Sequence, residues 1–291
     1  MILAAIDIGS NAVRLLIEEV VVTGKNKQYF RKISLTRVPL RLGEDVFGKG
    51  KISDDKAKKL IKTLKAFRYL MDVNEVEHFR ACATSAMREA KNGKEIRKLI
   101  KKKADIDLEI IRGSEEADII FANFHTAKLS PTQGYLYIDV GGGSTEVSLI
   151  KNNKRVKSKS FPLGTVRILK GKVDDKVWTE AQNWIEELNI TEDIIAIGTG
   201  GNINRIYKES VHSFGEKITY NEIEEIVQHI STYSYEDRIK KLKLKPDRAD
   251  VIIPAGKIYL SFMNQVKATE MIVPKVGLAD GIIYQLYDKT K

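Results

Sequence analysis

The sequence predicts an α/β fold of two similar lobes, each a mixed sheet flanked by helices, with a cleft between the lobes. Two observations predict this fold. The order strand-strand-strand-helix-strand-helix-strand-helix occurs twice, with insertions in the second copy, which indicates an internal duplication. Each copy opens with an apolar strand that ends in Asp-x-Gly and small polar residues. The 291 residues suit two domains, expected at 1–127 and 128–291.

The first lobe is predicted to open with three strands and to continue with alternating helices and strands. Ser53 is the predicted N-cap of its first helix, in which apolar residues recur at helical spacing. Ser114 is expected to cap a later helix, and Pro131 and Gly134 mark the linker to the second lobe. The apolar stripe of the first helix is Leu60, Ile61, Leu64, Phe67 and Leu70. The expected strands are 2–8, 13–22, 28–38, 78–83 and 108–111; the expected helices are 54–71, 94–103 and 115–126; the linker is 129–134.

The second lobe is predicted to repeat this order. Its last helix, expected over 278–291, is free to pack back on the first lobe. The expected strands are 135–140, 147–149, 157–161, 194–197 and 271–273, and the expected helices are 176–188, 221–231, 235–240, 249–265 and 278–291.

Composition excludes several classes of protein. No apolar run approaches the roughly 18 residues of a membrane span, so no membrane partner is expected. The net charge of +10 favours an anionic partner, but the basic runs lack aromatic residues and no nucleic-acid-binding motif is present, so nucleic acid is not expected. Cys82 is the only cysteine and the N-terminus lacks the pattern of a signal peptide, which favours the cytoplasm.

The two Asp-x-Gly segments are the strongest functional signal. Asp7 and Gly9 in the first copy match Asp139 and Gly141 in the second. Glycine lets backbone N–H groups converge in anion-binding turns. One such segment could be an ordinary tight turn, but two in register favour phosphate binding, and neither has the Gly-Lys-Ser/Thr ending of a P-loop. The predicted phosphate-binding residues are Gly9, Ser10 and Asn11 in the first copy and Gly141, Gly142, Gly143, Ser144 and Thr145 in the second.

The duplication also sets Arg14 against Glu146, each seven residues after its aspartate. Arg14 can fork onto phosphate oxygens, whereas Glu146 and Asp139 can hold a hard cation, Mg²⁺ or another divalent ion. The simpler alternative makes both residues ordinary solvent-facing strand residues. With four His and one Cys, a zinc site is not expected.

Several segments, in the same order along nearly the whole chain, resemble the exopolyphosphatase and guanosine pentaphosphate phosphohydrolase (Ppx/GppA phosphatase) family of the actin–hexokinase–Hsp70 superfamily. The resemblance implies duplicated ribonuclease H-like (actin-like ATPase) lobes. The matching segments are 7–14, 83–90, 113–117, 139–146, 162–167, 198–202 and 248–251.

The resemblance also assigns roles to individual residues. It implies that Glu116 is the catalytic carboxylate that orients and deprotonates the attacking water, that the metal ligands lie at Asp139 and Glu146, and that Arg88 and Arg248 clamp phosphate. The simpler alternative for Glu116 is an acidic residue favoured by the helix dipole in a first turn. Adjacent helical residues point about 100° apart, so Glu115 is expected to form a salt bridge or a cap instead. The candidate nucleotide loop, in the place of the superfamily's adenosine loop, is Gly198, Thr199, Gly200, Gly201 and Asn202.

The expected activity is Mg²⁺-assisted removal of the terminal phosphate from inorganic polyphosphate, guanosine pentaphosphate or both, by a monomer or a homodimer. Longer family members carry a further helical domain and this chain stops after the second lobe, so short chains or the nucleotide are the expected substrates. Two alternatives stay open: a sugar or acetate kinase of the same superfamily, and a non-catalytic sensor of polyphosphate or guanosine tetraphosphate.

Overall fold

The structure is a computed structural model that describes residues 1–23, 27–123, 129–213 and 215–290. The chain divides into two compact units. The first unit consists of Met1–His125 together with Gly277–Lys291, and the second is Thr126–Val276. The predicted boundary between residues 127 and 128 and the predicted end of a helix at residue 126 lie outside the described residues.

The sheet of the first unit grows from an antiparallel hairpin. β1 (Ile2–Ile8) pairs with β2 (Val13–Thr23), which also pairs antiparallel with β3 (Lys27–Val38). On the other side of β1, β4 (His78–Ala83) and then β5 (Leu108–Ile110) add in parallel, giving the order β3-β2-β1-β4-β5. These strands confirm the predicted ones to within one residue. The helices up to this point are α1 (Leu42–Lys49), α2 (Asp54–Val73), α3 (Ser85–Glu89), α4 (Gly93–Ala104) and α5 (Gly113–Ala122).

The second unit repeats this plan. β6 (Gly134–Val140), β7 (Thr145–Lys151) and β8 (Lys154–Phe161) form an antiparallel meander, and β9 (Ile194–Thr199) lies parallel to β6. The short strands β10 (Ile218–Thr219) and β11 (Glu270–Ile272) complete the order β10-β11-β9-β6-β7-β8. The helices are α6 (Thr165–Leu169), α7 (Asp175–Glu186), α8 (Gly201–Glu209), α9 (Tyr220–Ser231), α10 (Tyr235–Lys240), α11 (Pro246–Ala249) and α12 (Ile252–Gln265).

The two sheets correspond strand by strand. β3-β2-β1-β4-β5 matches β8-β7-β6-β9-β11, with the same parallel and antiparallel pairs, and β10 is an addition at the second edge. Helices flank both sheets, and the buried apolar residues of β6, β7 and β9 pack with α12 in the core of the second unit. The predicted class, two actin-like α/β lobes with mixed sheets, is therefore confirmed.

Helix α2 shows how closely periodicity predicted the packing. Ser53 is its N-cap, and its side chain accepts a hydrogen bond from Lys56 N at 3.4 Å, as predicted. Leu60, Leu64 and Phe67 are buried as expected. The predicted Leu70 is wrong, because the stripe continues at the spacing of four to the buried Met71, which leaves Leu70 exposed.

Two other helix predictions are wrong in detail. The helix predicted at 249–265 is divided into α11 and α12, and at the junction Val251 N donates to Arg248 O, three residues back, at 3.2 Å. Ser114 is not the cap of α5: Arg112, with extended backbone, is the N-cap, so Ser114 already lies inside the first turn. The helices that the sequence did not predict have five to nine residues, too few to show a periodic pattern. These unpredicted elements are α1, α3, α6, α8 and the strand β10.

The closing helix, α13 (Leu278–Thr290), belongs to the first unit. It packs against β1, β2, β4 and α5. Arg80 of β4 donates to Gln285 Oε1 at 2.8 Å, and Asn123 donates to the carbonyl of Gly277 at 3.0 Å. Among the described residues, the helices are all too short or too polar to span a membrane.

Candidate active site

The first glycine loop closes the β1–β2 hairpin. Asp7 and Arg14 are directly opposite in the register, and Gly9 N donates to Ala12 O at 3.0 Å across the turn. Arg14 Nη1 lies 2.5 Å from Asp7 Oδ2, in an ion pair whose carboxylate is buried. A Cβ at Gly9 would lie 3.9 Å from Arg14 Nη1, so the guanidinium lies beside the open face of the loop. The loop therefore lies beside a guanidinium that is held in place by Asp7, and the carboxylate balances its charge.

Two neighbouring segments support this loop from behind. Ser10 O accepts a hydrogen bond from Gly43 N of α1 at 2.8 Å, and Asn11 O accepts one from Arg41 N at 2.9 Å. The Ser10 and Ser85 hydroxyls are 2.9 Å apart, and both are buried. The Ser10 hydroxyl is thus hydrogen-bonded to Ser85 of α3. The more accessible residues of the loop are Gly9 and Asn11.

Arg88 and Glu116 lie together in the first unit. Arg88 Nη1 is 3.8 Å from Glu116 Oε2 and donates to the carbonyl of Ile111 at 2.7 Å. Because Ser85 of the same helix contacts Ser10, the short helix α3 connects the loop to the carboxylate. Glu116 is 7% exposed, which is unusual for a carboxylate in the first turn of a helix.

Glu115 has the separate role that the sequence predicted. Its side chain points to Arg80, whose Nη2 is 3.1 Å from Glu115 Oε1 and 2.7 Å from Glu109 Oε2. The side chain of Glu115 is 40% exposed. The two adjacent glutamates thus face different surroundings, one a surface ion-pair network and the other the buried neighbourhood of Arg88.

The second glycine loop has the same turn and a more extensive support. Gly141 N donates to Ser144 O at 2.9 Å, as Gly9 does to Ala12. The first turn of α6 donates Thr165 N to Gly141 O at 3.1 Å and Val166 N to Gly142 O at 2.8 Å. A Cβ at Gly164 would overlap the backbone of Gly143, so only glycine permits this approach.

The side chains of the second loop turn inward more than the sequence suggested. Thr145 is fully buried, and its hydroxyl donates to Leu163 O at 2.5 Å. Ser144 and Gly143 are also buried, whereas Gly141 and Gly142 keep accessible surface. The loop can therefore offer an anion mainly the backbone of its two leading glycines.

Asp139 and Glu146 are directly opposite in the β6–β7 hairpin, at the positions that Asp7 and Arg14 occupy in the first. Side chains opposite each other in an antiparallel pair have Cβ atoms about 4.5–5.5 Å apart. Glu146 is 1% exposed; Ser160 donates to its Oε1 at 2.7 Å, and Thr199 donates to Asp139 Oδ1 at 2.7 Å. Two facing carboxylates repel each other unless a cation lies between or beside them.

This donor set suits a hard cation. Among the described residues, no three or more His, Cys, Asp and Glu side chains gather as a metal-binding group. A cation on Asp139 and Glu146 would therefore complete its shell with water and phosphate oxygens, which is the usual arrangement for Mg²⁺. The residues present fit Mg²⁺ better than zinc, which prefers nitrogen and sulfur ligands.

The predicted nucleotide loop lies beside Asp139. A Cβ at Gly200 would lie 3.4 Å from Asp139 Oδ1, and one at Gly201 would lie 2.7 Å from Arg248 Nη2. The structure thus brings Arg248, Gly200–Gly201 and Asp139 together in the second unit. Gly198 and Thr199 belong to β9, and Asn202 is buried in the first turn of α8, so a nucleotide could reach mainly Gly200 and Gly201.

Behind Asp139 lies a buried hydroxyl network that the sequence did not predict. Tyr137 OH contacts Thr199 Oγ1, and Tyr259 OH donates to the carbonyl of Thr199. Burial, with Asp139 nearby, raises the pKa of both phenols well above the ordinary value, so both are neutral at physiological pH. The sequence offered no signal for Tyr259, which is 60 residues from Thr199.

Other missed residues support the loops. Ser85, Ser160 and Gly164 contact Ser10, Glu146 and Gly143, respectively. Gly164 and Ser85 fall within segments that carry the family resemblance, which was the available signal. Cys82 is buried, and burial raises the pKa of its thiol to about 12, so the thiol is neutral at physiological pH. Phosphate binding by the two glycine loops stays a prediction.

Comparison with known proteins agrees with the resemblance. Residues 20–290 match the family model described as the Ppx/GppA phosphatase family. The chain is 25% identical over 309 residues to exopolyphosphatase 1 of Mycobacterium tuberculosis, covering 99% of this chain and 89% of that protein.

Solved structures agree with this match. The Aquifex aeolicus Ppx/GppA family member has a TM-score of 0.77 and 26% identity, with 100% of this chain and 99% of that chain covered. An exopolyphosphatase from Cytophaga hutchinsonii shares the fold, with a TM-score of 0.85, 22% identity and coverage of 100% and 99%. This protein therefore belongs to the Ppx/GppA phosphatase family.

Proposed function

We propose that this protein is a phosphohydrolase that removes the terminal phosphate from inorganic polyphosphate. The observation that carries the proposal is the match to a phosphatase family along nearly the whole chain, with exopolyphosphatase 1 of Mycobacterium tuberculosis among its relatives. The chain also has the chemical groups that such a reaction needs: two glycine loops, several arginines and buried carboxylates.

Glu116 is the proposed catalytic carboxylate. Its role is to accept a hydrogen bond from the attacking water and to take up its proton as the water attacks the terminal phosphorus. Arg88, whose Nη1 lies 3.8 Å from Glu116 Oε2, can donate to phosphate oxygens beside this carboxylate. Phosphoryl transfer depends more on positioning and charge stabilisation than on a strong base, so a partly buried glutamate is sufficient.

The proposed phosphate-binding groups neutralise charge on the substrate. Backbone N–H groups at Gly9 and Gly141 and the side chains of Arg14 and Arg248 offer donors to phosphate oxygens. Asp139 and Glu146 would hold Mg²⁺ or another divalent cation, which would offset the negative charge on those oxygens. Arg14, held on Asp7, keeps its donors oriented without any metal.

Guanosine pentaphosphate is a second candidate substrate. Arg248 lies against Gly201 in the predicted nucleotide loop, where it could bind the phosphates of a nucleotide. The kinase alternative requires ATP-dependent phosphorylation of a small acceptor, and the sensor alternative requires binding of the polyanion without phosphate release.

The decisive experiment measures phosphate release from polyphosphates of several lengths and from guanosine pentaphosphate, with and without Mg²⁺. We expect Glu116→Gln to lower the rate by about 10²–10⁴-fold, because the amide cannot accept the proton from water. Glu115→Gln is the matched control: it makes the same change one residue away, in an exposed ion pair that contributes little energy.

Glu115→Gln should keep nearly the wild-type rate. An unchanged rate in Glu116→Gln would remove the assigned catalytic role. Phosphate release from neither substrate, together with tight binding of polyphosphate, would favour the sensor over the hydrolase.

A further inference from the structure

The two aspartates of the duplicated hairpins are held in different ways. In the parallel register, Cys82 of β4 lies beside Asp7, and Thr199 of β9 lies beside Asp139. Thr199 in the second unit therefore occupies the position that the buried Cys82 has in the first. Asp7 is instead held across its hairpin by Arg14, but the equivalent position opposite Asp139 is Glu146, which cannot donate a hydrogen bond when ionised.

The direction of the hydrogen bonds at Thr199 follows from its single proton. The Thr199 hydroxyl donates to Asp139 Oδ1 at 2.7 Å, so the Tyr137 hydroxyl must be the donor in its contact with Thr199 Oγ1. The backbone of Thr199 is held as well, because Tyr259 donates to its carbonyl while the Tyr259 oxygen accepts from Val140 N at 3.3 Å. Tyr137, Thr199 and Tyr259 are all at most 2% exposed.

We infer that Thr199, oriented by Tyr137 and Tyr259, is a positioning residue whose hydrogen bond to one oxygen of Asp139 fixes the orientation of this carboxylate toward a divalent cation shared with Glu146. The Thr199 hydroxyl holds Asp139 in the second unit, as the Arg14 guanidinium holds Asp7 in the first. Unlike a guanidinium, a hydroxyl adds no positive charge that would compete with the cation. Residues that orient metal ligands commonly change metal affinity by 10–100-fold when removed. The inference rests on the proposed function only in taking Asp139 and Glu146 as metal ligands.

The test measures metal binding directly, without turnover. Mn²⁺ is the probe, and its affinity for the substrate-free protein is followed by the electron paramagnetic resonance signal of the unbound ion, with and without polyphosphate. We expect Thr199→Val, which keeps the shape but removes the hydroxyl, to weaken Mn²⁺ binding by about 10–100-fold. Thr199→Ser should restore most of the affinity, and Tyr137→Phe should give an intermediate loss.

The matched control is Tyr135→Phe. Tyr135 lies on the same face of β6, two residues before Tyr137, and is equally buried, but its hydroxyl accepts from Ser130 N at 3.1 Å. This variant should bind Mn²⁺ as the wild type does. A merely structural role for Thr199 would lower thermal stability in Thr199→Val and leave Mn²⁺ affinity unchanged.

The inference would be overturned if Thr199→Val and Tyr137→Phe both bound Mn²⁺ with the wild-type affinity. It would also be overturned if the wild-type protein bound no Mn²⁺ both with and without polyphosphate. The proposed function can fail separately. Wild-type protein that binds Mn²⁺ with an affinity that depends on Thr199 but releases no phosphate would refute the hydrolase and leave the positioning role intact.

Discussion

At the scale of single residues, the buried carboxyl group of Glu18 has a strongly raised pKa. Glu18 lies on β2 and is 5% exposed. Lys32 of β3 lies between it and Asp280 of α13: Lys32 Nζ is 3.9 Å from Glu18 Oε1 and 3.4 Å from Asp280 Oδ1. Burial first, and then the charge of Asp280, raise the pKa of Glu18 from 4.5 to about 7, against the opposing effect of Lys32.

This shift predicts the pH dependence of stability. Because the folded state binds the proton of Glu18 more tightly than the unfolded chain does, its contribution is complete below pH 4.5 and is lost as the pH rises through about 7. The loss is about 3 kcal/mol for a shift of this size. We expect Glu18→Gln to be more stable than the wild type at pH 8 and to remove this part of the pH dependence.

Urea denaturation between pH 4.5 and 8 measures this effect. Glu19→Gln is the control, because Glu19 forms an ion pair with Arg31 and is more exposed than Glu18. A Glu18→Gln variant whose stability follows the wild-type curve at every pH would contradict the assignment.

At the scale of elements, the loops depend on helices that approach them closely. The second loop receives backbone hydrogen bonds from the first turn of α6, and this contact is possible because Gly164 has no Cβ. The first loop receives its support from Gly43 of α1 and Ser85 of α3. The geometry of each glycine loop is therefore set partly by a helix that follows it in sequence.

Gly164→Ala should displace the second loop. The added methyl group would overlap the backbone of Gly143, which we expect to lower the free energy of unfolding by about 1–3 kcal/mol. Because the displaced loop is part of the proposed binding site, we expect a larger effect on substrate binding than on stability. Thermal melting and the KM for polyphosphate measure the two effects. Gly48→Ala is the control, because a Cβ there meets no described atom within 4 Å and alanine favours a helix. Wild-type KM in Gly164→Ala would contradict the proposed support.

At the scale of the whole molecule, helix α13 belongs to the first unit although most of that unit precedes it by more than 150 residues. Helix α13 buries Leu278, Ile282 and Ile283 against elements of the first unit. Fully burying one such side chain contributes about 1.5–3 kcal/mol, so the three together approach the total stability of a typical domain.

Truncation after Val276 should therefore destabilise the first unit selectively. We expect faster hydrogen exchange in β1, β2 and β4, while β6 and β7 of the second unit keep their protection and act as an internal control. Adding a synthetic peptide of residues 277–291 should restore part of the protection. Equal protection of β1, β2 and β4 in the truncated and complete chains would show that α13 is dispensable for the first unit.

The sequence by itself determined the duplication, the fold class and the pairing of each Asp with the residue seven positions later. These features are local: a hairpin sets its own register, so Asp7 meets Arg14 and Asp139 meets Glu146 without reference to distant segments. The divergence of Glu115 and Glu116 was equally local, since adjacent helical residues point in different directions.

Only the tertiary structure decided which distant groups support these residues. Thr199 meets Asp139 through a parallel pairing of β6 and β9, and Gly164 meets Gly143 through the docking of α6. Parallel strands are joined by long crossovers, so their register is not encoded in any short segment. The family resemblance placed Thr199 in the candidate nucleotide loop, which stays a prediction; the folded chain adds that the Thr199 hydroxyl donates a hydrogen bond to Asp139.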